Sequence, residues 1–226
     1  MIIVTGSSGG IGRVIALRMH NLGHKVIGIS RTKNIQEVEY QTFNADVRNI
    51  NELQKISVSI KDNDDPVLAI INCAGVFYPS AIKFYFEDKV FDVFDTNLKG
   101  TFNASQAFLP LMDHTKHSQI INISSLAATM TNEASAYAAA KAGVEALTKS
   151  MAKQVGMTKI RVNCIAPGPI ETGFIKAMPD FVVQQGVDRQ IINKFFTPDD
   201  IADIVEILLD EKTSSLTGQV FNIGGV

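Results

Sequence analysis

The sequence predicts an α/β fold: one domain, 1–226, on a doubly wound, seven-stranded parallel sheet with helices on both faces. Three observations predict it. Short aliphatic runs alternate with helical patterns along the whole chain. Several of those runs lack polar alternation, as strands covered on both faces do. No linker, low-complexity run or internal repeat interrupts the order, and such an uninterrupted strand–helix alternation winds into a single sheet.

The strand-like runs are 1–5, 25–30, 40–43, 67–72, 119–124, 160–165 and 219–223. The first stops at Thr5, and glycines follow at Gly6, Gly9, Gly10 and Gly12. A helix is expected over 11–22, with Ile11, Val14, Ile15, Met19 and Leu22 at helical spacings and Gly23 as its stop. Strand, glycine turn and helix together present free N–H groups at a positive helix end to a phosphate. Glycines in this G-x-x-x-G-x-G spacing also serve simply to let a strand meet a helix. Residues 137–155 are rich in alanine and leucine, which favours helix. Segment 199–210 follows Thr197-Pro198, has aspartates in its first turn, and puts Ile201, Ile204, Val205 and Leu208 on one face. Each motif discussed below falls just after a strand or on the helix that follows one, where ligands bind in sheets of this kind.

Composition excludes several classes. A chain of 226 residues, 46% of them hydrophobic, can bury a full core. Lys plus Arg is 21 and Asp plus Glu is 23, for a net charge of −2. That balance supplies no footprint for nucleic acid or an anionic membrane. No apolar run approaches the roughly 18–20 residues that span a bilayer, and no targeting segment is recognised, so a cytoplasmic location is expected. Cys73 and Cys164 each lie beside an apolar run and read as buried, reduced thiols. His20, His24, His114 and His117 form no ligand cluster, and no metal is expected.

Tyr137 and Lys141 form Y-x-x-x-K within the alanine-rich helix, so their side chains share a face. This pair suits acid–base work on an alcohol or ketone. A free phenol, with a pKa near 10, is a poor match for neutral pH. A lysine cation about 5 Å away, at an effective dielectric of about 20, favours phenolate by roughly 3 kcal/mol, or about two pKa units. A phenol so tuned can give a proton to a carbonyl oxygen or take it back. Ser125, at the end of the strand over 119–124, can place a hydroxyl beside the same oxygen; Ser124 is its rival.

Taken together, TGSSGGIG at 5–12, NCAG at 72–75, NLKG at 97–100, ISS at 123–125, YAAAK at 137–141 and APGPIET at 166–172 resemble the short-chain dehydrogenase/reductase family over essentially the whole chain. The resemblance implies a Rossmann fold. It makes Tyr137 the general acid/base, with Lys141 lowering its pKa and bonding the nicotinamide ribose. Ser125 would hold the substrate oxygen and Asn97 a water in a proton relay. Gly6, Ser8, Gly10, Ile11 and Gly12 would take the dinucleotide's pyrophosphate, and Asp46 and Val47 its adenine. Asn72, Ala74 and Gly75 would stabilise the sheet and line the adenosine ribose, with Cys73 replacing the family's second asparagine. Pro167, Gly168, Ile170 and Thr172 would face the nicotinamide end.

The end of the second strand distinguishes the two nicotinamide coenzymes. A carboxylate there bonds a ribose 2′-hydroxyl, whereas an arginine accommodates a 2′-phosphate. Here Ser30 is followed by Arg31, which points to NADP(H) over NAD(H). Residues 172–197 are expected to form a substrate lid, with Phe174, Met178, Phe181 and Val182 over the substrate and Phe77, Tyr78 and Met130 opposite. Lys116 and Lys159 are candidates for a basic mouth that would suit an acidic carrier protein. The function so implied is NADPH-dependent reduction of a ketone, with 3-oxoacyl thioesters as one candidate class. Sugar or small-alcohol dehydrogenation is the alternative, and a non-catalytic dinucleotide sensor is a third reading. By the same resemblance, helices around 88–112 and 137–155 would build a contact in a homotetramer or homodimer, with Val144, Leu147, Met151 and Val155 candidates for it.

Overall fold

The structure, a computed structural model, describes residues 1–32, 38–61, 65–78, 82–84, 86–114, 118–129, 134–173 and 180–225, without the side chains of Phe181 and Val182. Its strands are β1 (Ile2–Thr5), β2 (Val26–Ser30), β3 (Gln41–Asn44), β4 (Ala69–Asn72), β5 (Gln119–Ile123), β6 (Arg161–Pro167) and β7 (Val220–Ile223). They form one seven-stranded sheet in the order β3-β2-β1-β4-β5-β6-β7. Every neighbouring pair is parallel. The described helices of at least eight residues are α1 (Gly10–Asn21), α2 (Ile50–Lys61), α3 (Glu87–Phe94), α4 (Gly100–Phe108), α5 (Ser135–Val155), α6 (Asp180–Asp188) and α7 (Pro198–Leu209). A π-helical turn, Asp95–Lys99, joins α3 to α4.

The period-two geometry of a strand explains why its aliphatic runs need no polar alternation. Ile3, Ile27, Ile70, Ile120 and Val162 face one way, onto Leu53 and Ile56 of α2, Phe108 of α4 and Met151 and Val155 of α5. Ile2, Val4, Ile71, Ile121 and Ile165 face the other, onto Ile15 and Met19 of α1 and Ile201 and Val205 of α7. Helices thus cover both faces of the sheet. The start of α7 is fixed by a reciprocal cap. Thr197 accepts from the Asp200 N–H at 3.2 Å, and the Asp200 carboxylate accepts from the Thr197 N–H at 2.6 Å.

Two expected features move. Met151, Val155 and Val144, offered as subunit-contact residues, are 9%, 8% and 0% exposed and pack inside this chain; only Leu147 of the four reaches the surface groove of α5. Lys159 is no mouth residue, because it sits in the turn before β6, and the turn preceding a parallel strand lies at the end opposite to the crevice. Among the described residues, no helix is long and apolar enough to cross a membrane.

Candidate active site

The strand order reverses between β1 and β4, so a crevice opens beyond Thr5 and Asn72. Thr5 stitches its two lips together, its hydroxyl oxygen accepting from the N–H groups of Cys73 (3.1 Å) and Ala74 (3.2 Å). Gly6, with φ of +71°, approaches so closely that a Cβ would stand 2.8 Å from the Ala74 backbone. A Cβ on Gly12 would stand 2.5 Å from the Gly6 carbonyl oxygen. These contacts leave room for glycine alone. Helix α1 begins at Gly10 without a side-chain cap, so the N–H groups of its first residues are left for a ligand, while that of Gly12 is met by the Cys73 sulfur. Thr172 comes to the same place: its methyl lies 3.6 Å from where a Cβ on Gly10 would stand. A bare helix terminus above a glycine cradle is the chemistry a pyrophosphate requires, so the residues present fit a dinucleotide.

The other lining residues divide. Ser8 accepts from the Thr32 hydroxyl at 3.0 Å, and Ser30 donates to the Thr32 carbonyl at 2.7 Å, beside Arg31. The exposed Arg31 guanidinium has no ion pair among the described residues. Asn72, by contrast, is turned inward, donating to Asn122 (2.8 Å) and Ser105 (2.9 Å), so its side chain braces the sheet against α4. Asp46 is neither an exposed turn residue nor a free acceptor, because Arg48 grips both its oxygens. Burial opposes its ionisation, yet the Arg48 hydrogen bonds hold it below the usual carboxylate range. Gly168 follows β6 and donates to Ile223 at 3.2 Å, while Ile170 is buried beside Phe196.

Helix α5 carries Tyr137 and Lys141 one turn apart, with the Lys141 ammonium 5.6 Å from the Tyr137 ring centroid. The Tyr137 hydroxyl pairs with Ser125. Ser125 caps the short turn after β5, accepting from the Ala127 N–H at 3.2 Å. Ser124 is buried and bonded within the chain, 3.0 Å from the Lys141 carbonyl and 3.1 Å from Glu145. Of the two serines, Ser125 is therefore the one that meets the phenol. Phe77 packs edge-on against Tyr137, with ring centroids 4.9 Å apart.

The electrostatics of this pair correct the expectation drawn from proximity. Burial pushes the Tyr137 phenol up to about 12, against the Ser125 hydrogen bond that lowers it. Lys141, 5% exposed, is pushed down to about 8 by burial. Its ammonium donates at 2.7 Å to the Ile123 carbonyl. Desolvation disfavours both charged forms and is the largest cause of each shift.

Asn97 lies in the π-helical turn. Its amide hydrogens go to the carbonyls of Val76 and Val93, both at 2.9 Å, and its Oδ1 accepts from the Val76 N–H at 3.2 Å. A water in the expected relay would therefore be held by an oxygen of Asn97 and not by its amide N–H. Gly75 separates Asn97 from Lys141: a Cβ there would stand 2.7 Å from Asn97 Oδ1 and 3.9 Å from Lys141 Nζ.

One contributor escaped the motif reading. The Cys73 sulfur accepts from the Gly12 N–H and couples electrostatically to Tyr137 and Lys141, so it sits between the glycine turn and the acid–base pair. Burial pushes its thiol up to about 12, which keeps it neutral. Its place in NCAG was the available signal. Met130, Phe174, Met178, Lys116 and His117 lie outside the described residues, as do the side chains of Phe181 and Val182.

A dinucleotide cradle beside a tyrosine–lysine–serine cluster, at the switch point of a parallel sheet, defines a nicotinamide-dependent oxidoreductase. The chain belongs to the short-chain dehydrogenase family, whose model matches residues 1–181. It is 32% identical over 235 residues to the 3-oxoacyl-[acyl-carrier-protein] reductase of Staphylococcus epidermidis, covering 99% of this chain and 96% of that one. It is likewise 32% identical over 231 residues to the reductase of the same name from Vibrio cholerae, covering 99% and 95%. Among solved structures, the ligand-free aldohexose dehydrogenase of Thermoplasma acidophilum superimposes with a TM-score of 0.89 at 29% identity, covering 99% and 92%. A 4-hydroxyisoleucine dehydrogenase complexed with NADH gives 0.87 at 25% identity, covering 99% and 96%.

Proposed function

We propose that the protein is an NADP(H)-dependent reductase of ketones, with 3-oxoacyl thioesters the favoured substrate class. The observation that carries this reading is the Tyr137 hydroxyl paired with Ser125, one helical turn from the buried Lys141 ammonium and beside the glycine turn. The bound coenzyme supplies the hydride that reaches the carbonyl carbon. Tyr137 gives its proton to the carbonyl oxygen, and its pKa of about 12 keeps that proton in place until charge develops there. Ser125, whose oxygen accepts from Ala127 and whose hydroxyl pairs with Tyr137, turns its hydrogen to the substrate oxygen when substrate binds. Lys141 stabilises the phenolate left behind and bonds the nicotinamide ribose, and Asn97 extends the proton path. The Arg31 guanidinium, exposed and free of ion pairs among the described residues, supports selection of a 2′-phosphate. The described part of the expected lid, 180–197, is anchored by the buried Gln190 and Phe196.

The likeness to the aldohexose dehydrogenase supports a second reading, oxidation of a sugar by the same residues. Oxidation of NADPH against a panel of 3-oxoacyl thioesters, cyclic ketones and aldonolactones, with aldoses tested in the reverse direction, separates the two. Turnover restricted to the sugars overturns the first reading; no turnover of any of them overturns both.

A homo-oligomer is part of the proposal. A groove of about 500 Å³, lined by Phe94, Leu98, Phe102 and Leu147, lies open along the helices from α3 to α5, and Phe91 beside it is 58% exposed. So is a cytoplasmic location, supported by two unpaired cysteines.

A further inference from the structure

A run of charge-assisted contacts crosses the molecule outside the acid–base cluster. Arg48, in the turn between β3 and α2, lays its guanidinium edge on Asp46, with Nε 3.1 and 2.9 Å from the two carboxylate oxygens and Nη2 2.6 Å from Oδ2. Its remaining arm, Nη1, donates to Asp92 Oδ1 of α3 at 2.6 Å. The other oxygen of Asp92 accepts from the Tyr78 hydroxyl, also at 2.6 Å, and Thr96 adds a bond of 3.2 Å to Oδ1. The Lys89 ammonium lies over the Tyr78 ring, 4.8 Å from its centroid. A planar guanidinium shared between two carboxylates resists rotation, because moving it lengthens bonds to both.

Both ends of this run are tied to backbone. Asn103 of α4 donates to the carbonyls of Val47 (2.9 Å) and Arg48 (3.2 Å), which fixes the turn carrying Asp46 and Val47. At the other end, residues 76–78 form the wall beside the phenol. Asn97 clamps the N–H and carbonyl of Val76, Phe77 meets the Tyr137 ring edge-on, and Tyr78 hangs from Asp92. Resting on the coenzyme reading above, the first end is the adenosine side of the crevice and the second the reacting side.

We propose that Arg48 is a positioning residue that joins these two ends through Asp92 and Tyr78, so that the adenosine turn and the wall holding Phe77 against Tyr137 are ordered as one unit. Loss of any one link frees the wall, and the aromatic edge that sets the phenol's orientation shifts with it. Misplacement on this scale at a reacting centre lowers turnover more than it lowers binding.

The test is a double-mutant cycle of Arg48→Met and Tyr78→Phe on the full chain. NADPH affinity is read by coenzyme fluorescence, thermal midpoints with and without NADPH, and kcat and KM with acetoacetyl-coenzyme A or whichever carbonyl the parent turns over. Tyr78→Phe removes one hydroxyl and keeps the ring under Lys89; it is expected to lower kcat about threefold to tenfold with the KM for NADPH within about twofold. Arg48→Met is expected to weaken NADPH binding about threefold to tenfold and to lower kcat as Tyr78→Phe does. The double variant then has the kcat of Arg48→Met alone. Arg48→Lys guards against a folding defect, since it keeps the charge but not the fork: a normal melting midpoint with reduced kcat is the expected result. An unchanged kcat in Tyr78→Phe, or losses that multiply in the double variant, overturns the proposal. Where the parent binds NADPH but reduces no carbonyl, the same cycle in the NADPH-induced rise of the midpoint decides it, and additive effects there overturn it. A parent that binds neither NADPH nor NADH removes the coenzyme reading and this inference together.

Discussion

Replacing Lys141 by Met probes the electrostatics of the site without reference to any substrate. Burial moves the Lys141 ammonium from its ordinary 10.5 to about 8. Between those values the unfolded chain keeps a proton that the folded chain has released, so this group's contribution to stability rises with pH; it is complete above about 10.5 and lost as pH falls through about 8. The full span corresponds to about 3 kcal/mol, of which about 2 kcal/mol falls between pH of about 6.5 and about 9.5. Cys73, Cys164 and Tyr137 act in the opposite sense, because their folded values are raised to about 12 and their unfolded forms ionise first. The parent's own curve therefore mixes both signs, and the difference between parent and Lys141→Met leaves the lysine together with its coupling to Cys73 and Cys164. Loss of the 2.7 Å bond to the Ile123 carbonyl offsets that difference by about 1–3 kcal/mol, but nearly equally at each pH. Urea denaturation at a series of pH values reads it. The parent should gain about 2 kcal/mol on the variant across that window. A flat difference would show that the ammonium is not desolvated, and a falling one that it is held charged by a partner carboxylate.

Tyr137→Phe is expected to cut carbonyl reduction by about 100-fold or more while NADPH binding stays within about twofold, and undiminished turnover removes the acid role. Arg31→Ala should raise the KM for NADPH far more than that for NADH; equal effects would show that the guanidinium does not read the 2′-phosphate. Gly75→Ala would set a methyl 2.7 Å from Asn97 Oδ1 and 3.9 Å from Lys141 Nζ. It should cost about 1–3 kcal/mol in urea denaturation and lower turnover, and a fully active, equally stable variant refutes the packing at that corner. Light scattering at micromolar concentration should give a dimer or tetramer that Phe102→Glu dissociates; a monomeric parent refutes the proposed contact.

The fold was legible where burial on both faces leaves a strand with adjacent aliphatic residues and no polar alternation, as in Ile2–Val4, Ala69–Ile71 and Ile120–Ile121. It was less legible at the sheet's edge. Strand β3 (Gln41–Asn44) is largely exposed, and it starts one residue later than expected because Tyr40 is buried beneath the glycine turn, its hydroxyl directed at the Ser7 carbonyl. Strand β6 runs on through Ala166 and Pro167 because β7 pairs with them, a partnership no local pattern announces. Met151 and Val155 followed the same period as a contact face, and only the packing of α5 on the sheet shows which way that face points.

At the site, what depends on spacing could be read and what depends on surroundings could not. One helical turn suffices to bring Tyr137 and Lys141 together, and the glycines declare how closely β1 and β4 approach. The charge states follow from what covers the pair. The attraction of roughly 3 kcal/mol expected between phenolate and ammonium assumes a solvated surface of effective dielectric about 20. With Lys141 buried and Tyr137 partly so, desolvation of each charged form is the leading cause, and the phenol rises to about 12 while the amine falls to about 8. The two shifts have a chemical consequence that a lowered phenol would not. In the proposed reduction, a proton held this firmly would leave Tyr137 only when a stronger base, the oxygen of a carbonyl taking up hydride, forms beside it, which would tie proton release and substrate reduction to one event. Asp46 makes the same point at longer range. Its grip by Arg48 is two residues away in sequence, but the link onward to Asp92 spans 44, and only the folded chain joins them.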